Sequence, residues 1–171
     1  MAYKPLLRDY RPFYIQTSGA NTATDIYQQY GIVIQNHPYP ILPEPKSPYS
    51  NDLPDANGEQ EYNSTLVYKP QEFSYNCAVV VDGPVNETSM RACRSQIQSF
   101  FDVIKQGEFK IFDSYTDIGF QKVRYAGGSV DSGSYKSVGT GYTRALFTVK
   151  FKANDPVTRM VLVDGAIVTE T

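Results

Sequence analysis

Only one stretch of this sequence, "NETSMRACRSQIQSFFDVIKQG", spaces its apolar residues as a helix does; the other apolar runs read as strands. Met90, Cys93, Ile97, Phe100, Phe101 and Ile104 fall on one stripe at a 3.6-residue period. Asn86 or Thr88 supplies an N-cap, and Glu87 suits the positive end of the helix dipole. Lys105 and Gly107 suit the other end. A single helix among strands rules out the βαβ alternation of a parallel sheet. The stripe itself is read as core rather than as a cofactor or partner groove.

The strand signals surround that helix. In "STLVYKPQEFSYNCAVVVDG" (64–83), Phe73, Tyr75, Cys77, Val79 and Val81 alternate on one face, and Asp82-Gly83-Pro84 ends the run with turn chemistry. "EFKIFDSY" (108–115), "FQKVRYAG" (120–127) and "TRALFTVKFKAN" (143–154) follow. "RMVLVDGAIVTE" (159–170) reads as a hairpin turning at Asp164-Gly165. "IYQQYGIVIQN" (26–36) predicts a strand around Ile32-Val33-Ile34, and "PFYIQ" a short one. The Gly/Ser-rich "GGSVDSGSYKSVGTG" predicts a mobile loop between 127 and 142. The expected fold is mainly β: a β-sandwich or barrel of about seven antiparallel strands with one packed α-helix at about 87–106.

The 171 residues suit a single domain, 1–171. Within it we expect an N-terminal arm or entry (1–25), a sandwich with its helix (26–156) and a C-terminal β-hairpin (157–171). The 14 Tyr and 9 Phe, with no Trp, suit sheets and interfaces. Net charge is −2, which argues against a generic phosphate-binding surface. Cys77 and Cys93 lack a metal-ligand spacing and are expected as buried free thiols, as in a reducing cytosol. The first residues have no apolar core of a signal peptide, and no apolar run approaches membrane-spanning length.

Site chemistry is sparse. His37, the only histidine, lies between Asn36 and Pro38, a context that offers little packing to hold a catalytic base. Asp113 and Asp117 flank a predicted turn; such a pair could hold a cation, but turn aspartates more often bond locally. No Gly-rich loop opens a helix as a phosphate site does. Lys122, Arg124, Lys150 and Lys152, with nearby aromatics, suggest a base-stacking sheet. Yet Phe147, Val149 and Phe151 alternate with Thr148, Lys150 and Lys152, which reads better as one core face and one solvent face. No catalytic, cofactor or metal residue is assigned, and no enzyme is expected.

A polar segment between strands remains to be explained. Pro38 to Pro54 holds six of the chain's 11 prolines, which excludes a helix or a central strand there. The order of signals resembles the distal tail proteins of long-tailed bacteriophages, specifically their N-terminal ring-forming domain. Three stretches carry the resemblance: "YGIVIQNHPYPILPEPKSPYSNDLPDANGEQEYN", the helix followed by "QGEFKIFDSYTDIGFQKVRYAG", and "LFTVKFKANDP". Together they cover roughly residues 26–156. Where the family shows a Pro-Gly-x-Asp-Gly-like turn, this chain has Pro54-Asp55-Ala56-Asn57-Gly58 and lacks the first glycine.

The resemblance implies a structural virion protein, assembled in the host cytoplasm as a homo-hexameric ring at the tail tip. Such a ring joins the tail tube to the baseplate hub, with DNA only as passenger in its channel. It also implies that "PEPKSPYSNDLPDANGEQEYN" is a hairpin arm reaching a neighbouring subunit, with Asn51, Leu53, Asp55, Asn57, Glu59 and Glu61 as contact residues. A tail-tube or tail-terminator protein of related fold is an alternative. From another class comes a carbohydrate-binding β-sandwich that stacks Tyr39, Tyr49, Tyr62 or Tyr135 on sugar. A small hydrolase using Asp113 and Asp117 ranks below both.

Overall fold

The structure, a computed structural model, describes residues 10–40, 42–46, 50–52, 59–61, 67–130, 135–139 and 141–170. The chain runs β1 (Phe13–Thr17), β2 (Thr24–Asp25), α1 (Ile26–Tyr30), β3 (Ile32–Ile34), β4 (Ser50–Asp52), β5 (Glu59–Glu61) and β6 (Gln71–Asp82). It continues through α2 (Glu87–Ile104), β7 (Phe109–Asp113), β8 (Ile118–Val130), β9 (Lys136–Val138), β10 (Tyr142–Asp155), β11 (Met160–Val163) and β12 (Ala166–Thr169). An antiparallel sheet in the order β2-β1-β7-β8-β10-β6-β3 curves into a half-barrel, and β9 adds to β10. The mainly-β fold with one substantial helix is the expected one.

The alternating strands build the core as their period requires. Phe73, Tyr75, Cys77 and Val79 of β6 are buried, as are Phe147, Val149 and Phe151 opposite them on β10. Helix α2 covers this face with Cys93, Phe100 and Ile104, while Ile97 and Phe101 pack at its margin. Asn86 caps the helix by accepting from the Ser89 N–H at 2.9 Å. Both cysteines are free and buried, and burial pushes both thiols up, so neither is poised to react.

The sheet's other face is only half covered. The hairpin β11–β12 lies over β1, β7 and the start of β8, burying Phe112, Met160 and Ile167 in a second, smaller core. Its turn residues Asp164 and Gly165 both have positive φ (50° and 77°), as a primed hairpin turn requires. Gly119 lets the hairpin lie against the backbone, because a Cβ there would stand 2.8 Å from that of Met160. Gln16 and Lys110 tie the hairpin down: the Ile167 N–H donates to Gln16 Oε1 at 2.7 Å, and Lys110 Nζ donates to the Ile167 carbonyl at 2.8 Å.

Two expectations need correction. Residues 26–30 form a helical turn rather than the start of a strand. Asp25 caps it by accepting from the Tyr27 N–H at 2.9 Å, and Gly31 closes it at φ 68°, so local capping overrides the strand preference of Ile26 and Tyr27. Of the supposed loop between 127 and 142, the described residues are largely strand: β8 runs on to Val130, and β9 pairs with β10 over 136–138, while 131–134 and 140 lie outside the described residues. Gly128 serves close approach there rather than looseness, since a Cβ would stand 2.6 Å from the Thr148 carbonyl oxygen.

Candidate functional site

Within the polar segment, the described residues pair in two places. At its root, Pro45 bridges Tyr68, the Lys46 N–H donates to the Val67 carbonyl at 2.7 Å, and the Lys69 N–H donates to the Glu44 carbonyl at 2.8 Å. β4 pairs with β5 in a two-stranded sheet of its own, with Ser50 opposite Glu61, Asn51 opposite Gln60 and Asp52 opposite Glu59. Asn51, Glu59 and Glu61 of the expected contact set therefore lie on the two strands of this hairpin; Leu53, Asp55 and Asn57 fall outside the described residues.

The root is anchored by a cluster that sequence reading missed. From 35 to 40 the chain forms no regular strand, and the Tyr39 N–H donates to the His37 carbonyl at 3.0 Å in a tight turn at Pro38. The Gln35 N–H donates to the Asn76 carbonyl at 2.8 Å, while the Asn36 side chain donates to the Ser74 carbonyl and accepts from the Asn76 N–H. Two residues on, His37 Nδ1 meets Asp113 Oδ2 at 2.5 Å, and its ring stacks on Tyr115 with centroids 4.3 Å apart. Tyr39 donates to the same carboxylate oxygen at 2.9 Å and its ring packs on Phe73, Tyr75 and Phe120. Asp113 Oδ1 accepts from the Tyr115 N–H at 2.9 Å. The Asp113 carboxylate is thus fully enclosed by donors, at 1% exposure. Burial pushes the Tyr39 and Tyr75 hydroxyls far up, so both keep their protons and serve as donors through neutral pH.

His37 is accordingly better held than its sequence context suggests, but what surrounds it is an anchor. Among the described residues, no serine, threonine or cysteine hydrogen-bonds it, and a nucleophilic site would need such a partner. Among the described residues, no group of three or more His, Cys, Asp or Glu side chains is placed to hold a metal. Asp113 and Asp117 have separate surroundings. Asp113 is enclosed in the cluster; Asp117 sits at φ 58° in the turn and lines a groove of about 560 Å³ between the arm root and the C-terminal hairpin. Of the four tyrosines considered for sugar stacking, Tyr39 is packed into the cluster. Tyr135 accepts from Arg94 Nε at 3.2 Å with the guanidinium 5.9 Å from its ring centroid, and Tyr49 and Tyr62 lie outside the described residues.

Replacing Asp113 by alanine removes the shared acceptor for three donors at a buried carboxylate. We expect a loss of about 1–3 kcal/mol in urea unfolding, with faster hydrogen exchange at the Gln35 amide. Unchanged stability and exchange would show that the cluster does not hold the arm root.

Among the described residues, no helix is long and apolar enough to cross a membrane. No family model and no curated protein matches the sequence. The fold, however, is similar to that of the SPP1 Dit protein, a paradigm of the hub adsorption apparatus in phages that infect Gram-positive bacteria. The TM-score is 0.54 at 15% identity, over 87% of this chain and 52% of that one. The chain therefore spans about half the length of that protein.

Proposed function

We propose that this chain is a structural component of a phage tail: a ring-forming tail-tip protein that joins the tail tube to the baseplate around the DNA channel. The observation that carries this reading is the fold likeness to a phage Dit protein over 87% of the chain. The Pro45–Tyr68 bridge and the β4–β5 pair support it further, because they fall within the stretch that the sequence resemblance makes an arm. Ring closure follows if the contact is heterologous and its rotation matches six-fold symmetry. An arm leaving one protomer for the next is a contact of that kind. The anchor suits this role: a lever that binds a neighbour transmits force only if its base is fixed to the sheet, and Asp113, His37 and Tyr39 fix it.

The test is mass in solution together with negative-stain imaging. Purified chain should sediment at several times the 19.2 kDa of one protomer, at least on concentration, and images should show rings. Isologous dimers or monomers alone, at every concentration, would sink the reading.

A further inference from the structure

The groove of about 560 Å³ beside the C-terminal hairpin opens at one end of the half-barrel, a place where β folds often take ligands. Part of its lining is apolar. Leu42 and Pro43 come from the chain before β4, and Val157 from the segment before β11, together with Tyr68 and Phe120. Leu42 is 80% exposed and Val157 54%, so apolar carbon stands in water around the opening.

The polar part of the lining consists mainly of acceptors. Gln71 begins β6 on the same face as Phe73 and Tyr75 and is 8% exposed. Its amide oxygen is buried and has no hydrogen-bond partner among the described residues. An enclosed acceptor without a donor costs stability. Asp117 and Glu170 also line the groove, and neither carboxylate forms an ion pair with a described residue. Arg159 is the one cation among the described lining residues. It is exposed and pairs with neither carboxylate, although its carbonyl accepts from the Glu170 N–H at 3.0 Å. Other donors nearby are engaged: Lys69 holds Glu44, and the Thr158 hydroxyl donates to Asp155 at 2.8 Å.

We propose that this groove binds a lysine or arginine side chain carried on a segment of a partner protein. Such a side chain pairs an apolar stem with a head that only donates. The stem matches the walls at Leu42 and Val157, and the head matches the Gln71 oxygen and the two carboxylates, through charge-assisted hydrogen bonds. Charge selects this occupant, because two unpaired carboxylates outnumber the single cation. The inference goes beyond the ring reading and does not depend on it.

Two short peptides test it, acetyl-Gly-Lys-Gly-amide and acetyl-Gly-Arg-Gly-amide, titrated into the full chain labelled with nitrogen-15. The Gly119 amide and the Gln71 side-chain amide are the reporters. Both peptides should shift these signals saturably, with a dissociation constant of about 1 mM, and binding should weaken as salt rises. The same peptide carrying norleucine should bind about tenfold more weakly or not at all. Asp117→Asn with Glu170→Gln should also weaken the cationic peptides about tenfold. Asparagine tolerates the φ of 58° at position 117, and Glu170 is exposed, so this variant keeps the fold. Gln71→Met removes the buried acceptor at similar length and should weaken binding as well; if it unfolds, the carboxylate variant carries the test. The proposal falls if no peptide gives a saturable shift, if norleucine serves as well as lysine, or if the carboxylate variant binds as the parent does. Chitotriose shifting the same signals where the cationic peptides do not would make the groove a sugar site instead. A change in sedimentation of the carboxylate variant, with no peptide binding to the parent, would assign the groove to a second copy of this chain.

Discussion

Phe100→Ala should lower stability by about 3–5 kcal/mol, the cost of emptying a large aromatic site that the surroundings cannot refill. Phe100 is 2% exposed on the buried face of α2, edge-on to Tyr30 at 5.7 Å, so it joins the helix to the first helical turn as well as to the sheet. For a chain of this length, such a loss corresponds to a melting midpoint lower by roughly 6–20 °C. Phe101→Ala is the internal control. Phe101 is half-buried, edge-on to Tyr125 with Lys105 over its ring, and its truncation should cost clearly less. A loss below about 1 kcal/mol at Phe100 would mean that this face of α2 is not core. The helix would then become a candidate partner surface.

What could be read in the sequence were the features with a local cause. The α2 stripe and its Asn86 cap, the alternation along β6 and β10, and the Asp164-Gly165 turn each follow from residues within a few positions of one another. Helix α1 was missed although its signal is also local. Asp25 before it and Gly31 after it are caps, but they enclose only five residues, too few for a period to show. The anchor was missed for a different reason. His37 and Asp113 stand 76 positions apart, and nothing in the context of either residue reveals that His37 meets the end of β7. The solvent-facing side of β10 was half legible. Its lysines were noted for stacking on bases, but that reading needed exposed aromatics, and the alternating Phe147 and Phe151 lie inside.

Deleting residues 51–60 should abolish assembly while leaving a folded, soluble protomer. The reason lies in where the arm's energy resides. Leu53 is the one large apolar side chain between 50 and 61, so the segment has little to bury and adds little to the core. Its strands pair with each other rather than with the main sheet. The root ladder at 44–46 and 67–69 and the Asp113 cluster both lie outside the deletion and would still close the chain. Shortening a connection already closed at its base changes loop entropy by well under about 1 kcal/mol. The unfolding midpoint should therefore move little, whereas the proposed ring would lose every contact that its arms make with neighbours. Two results would reverse this account. An unfolded deletion protein would show that the arm supports its own subunit, and rings that persist without it would show that the subunits are joined by another surface.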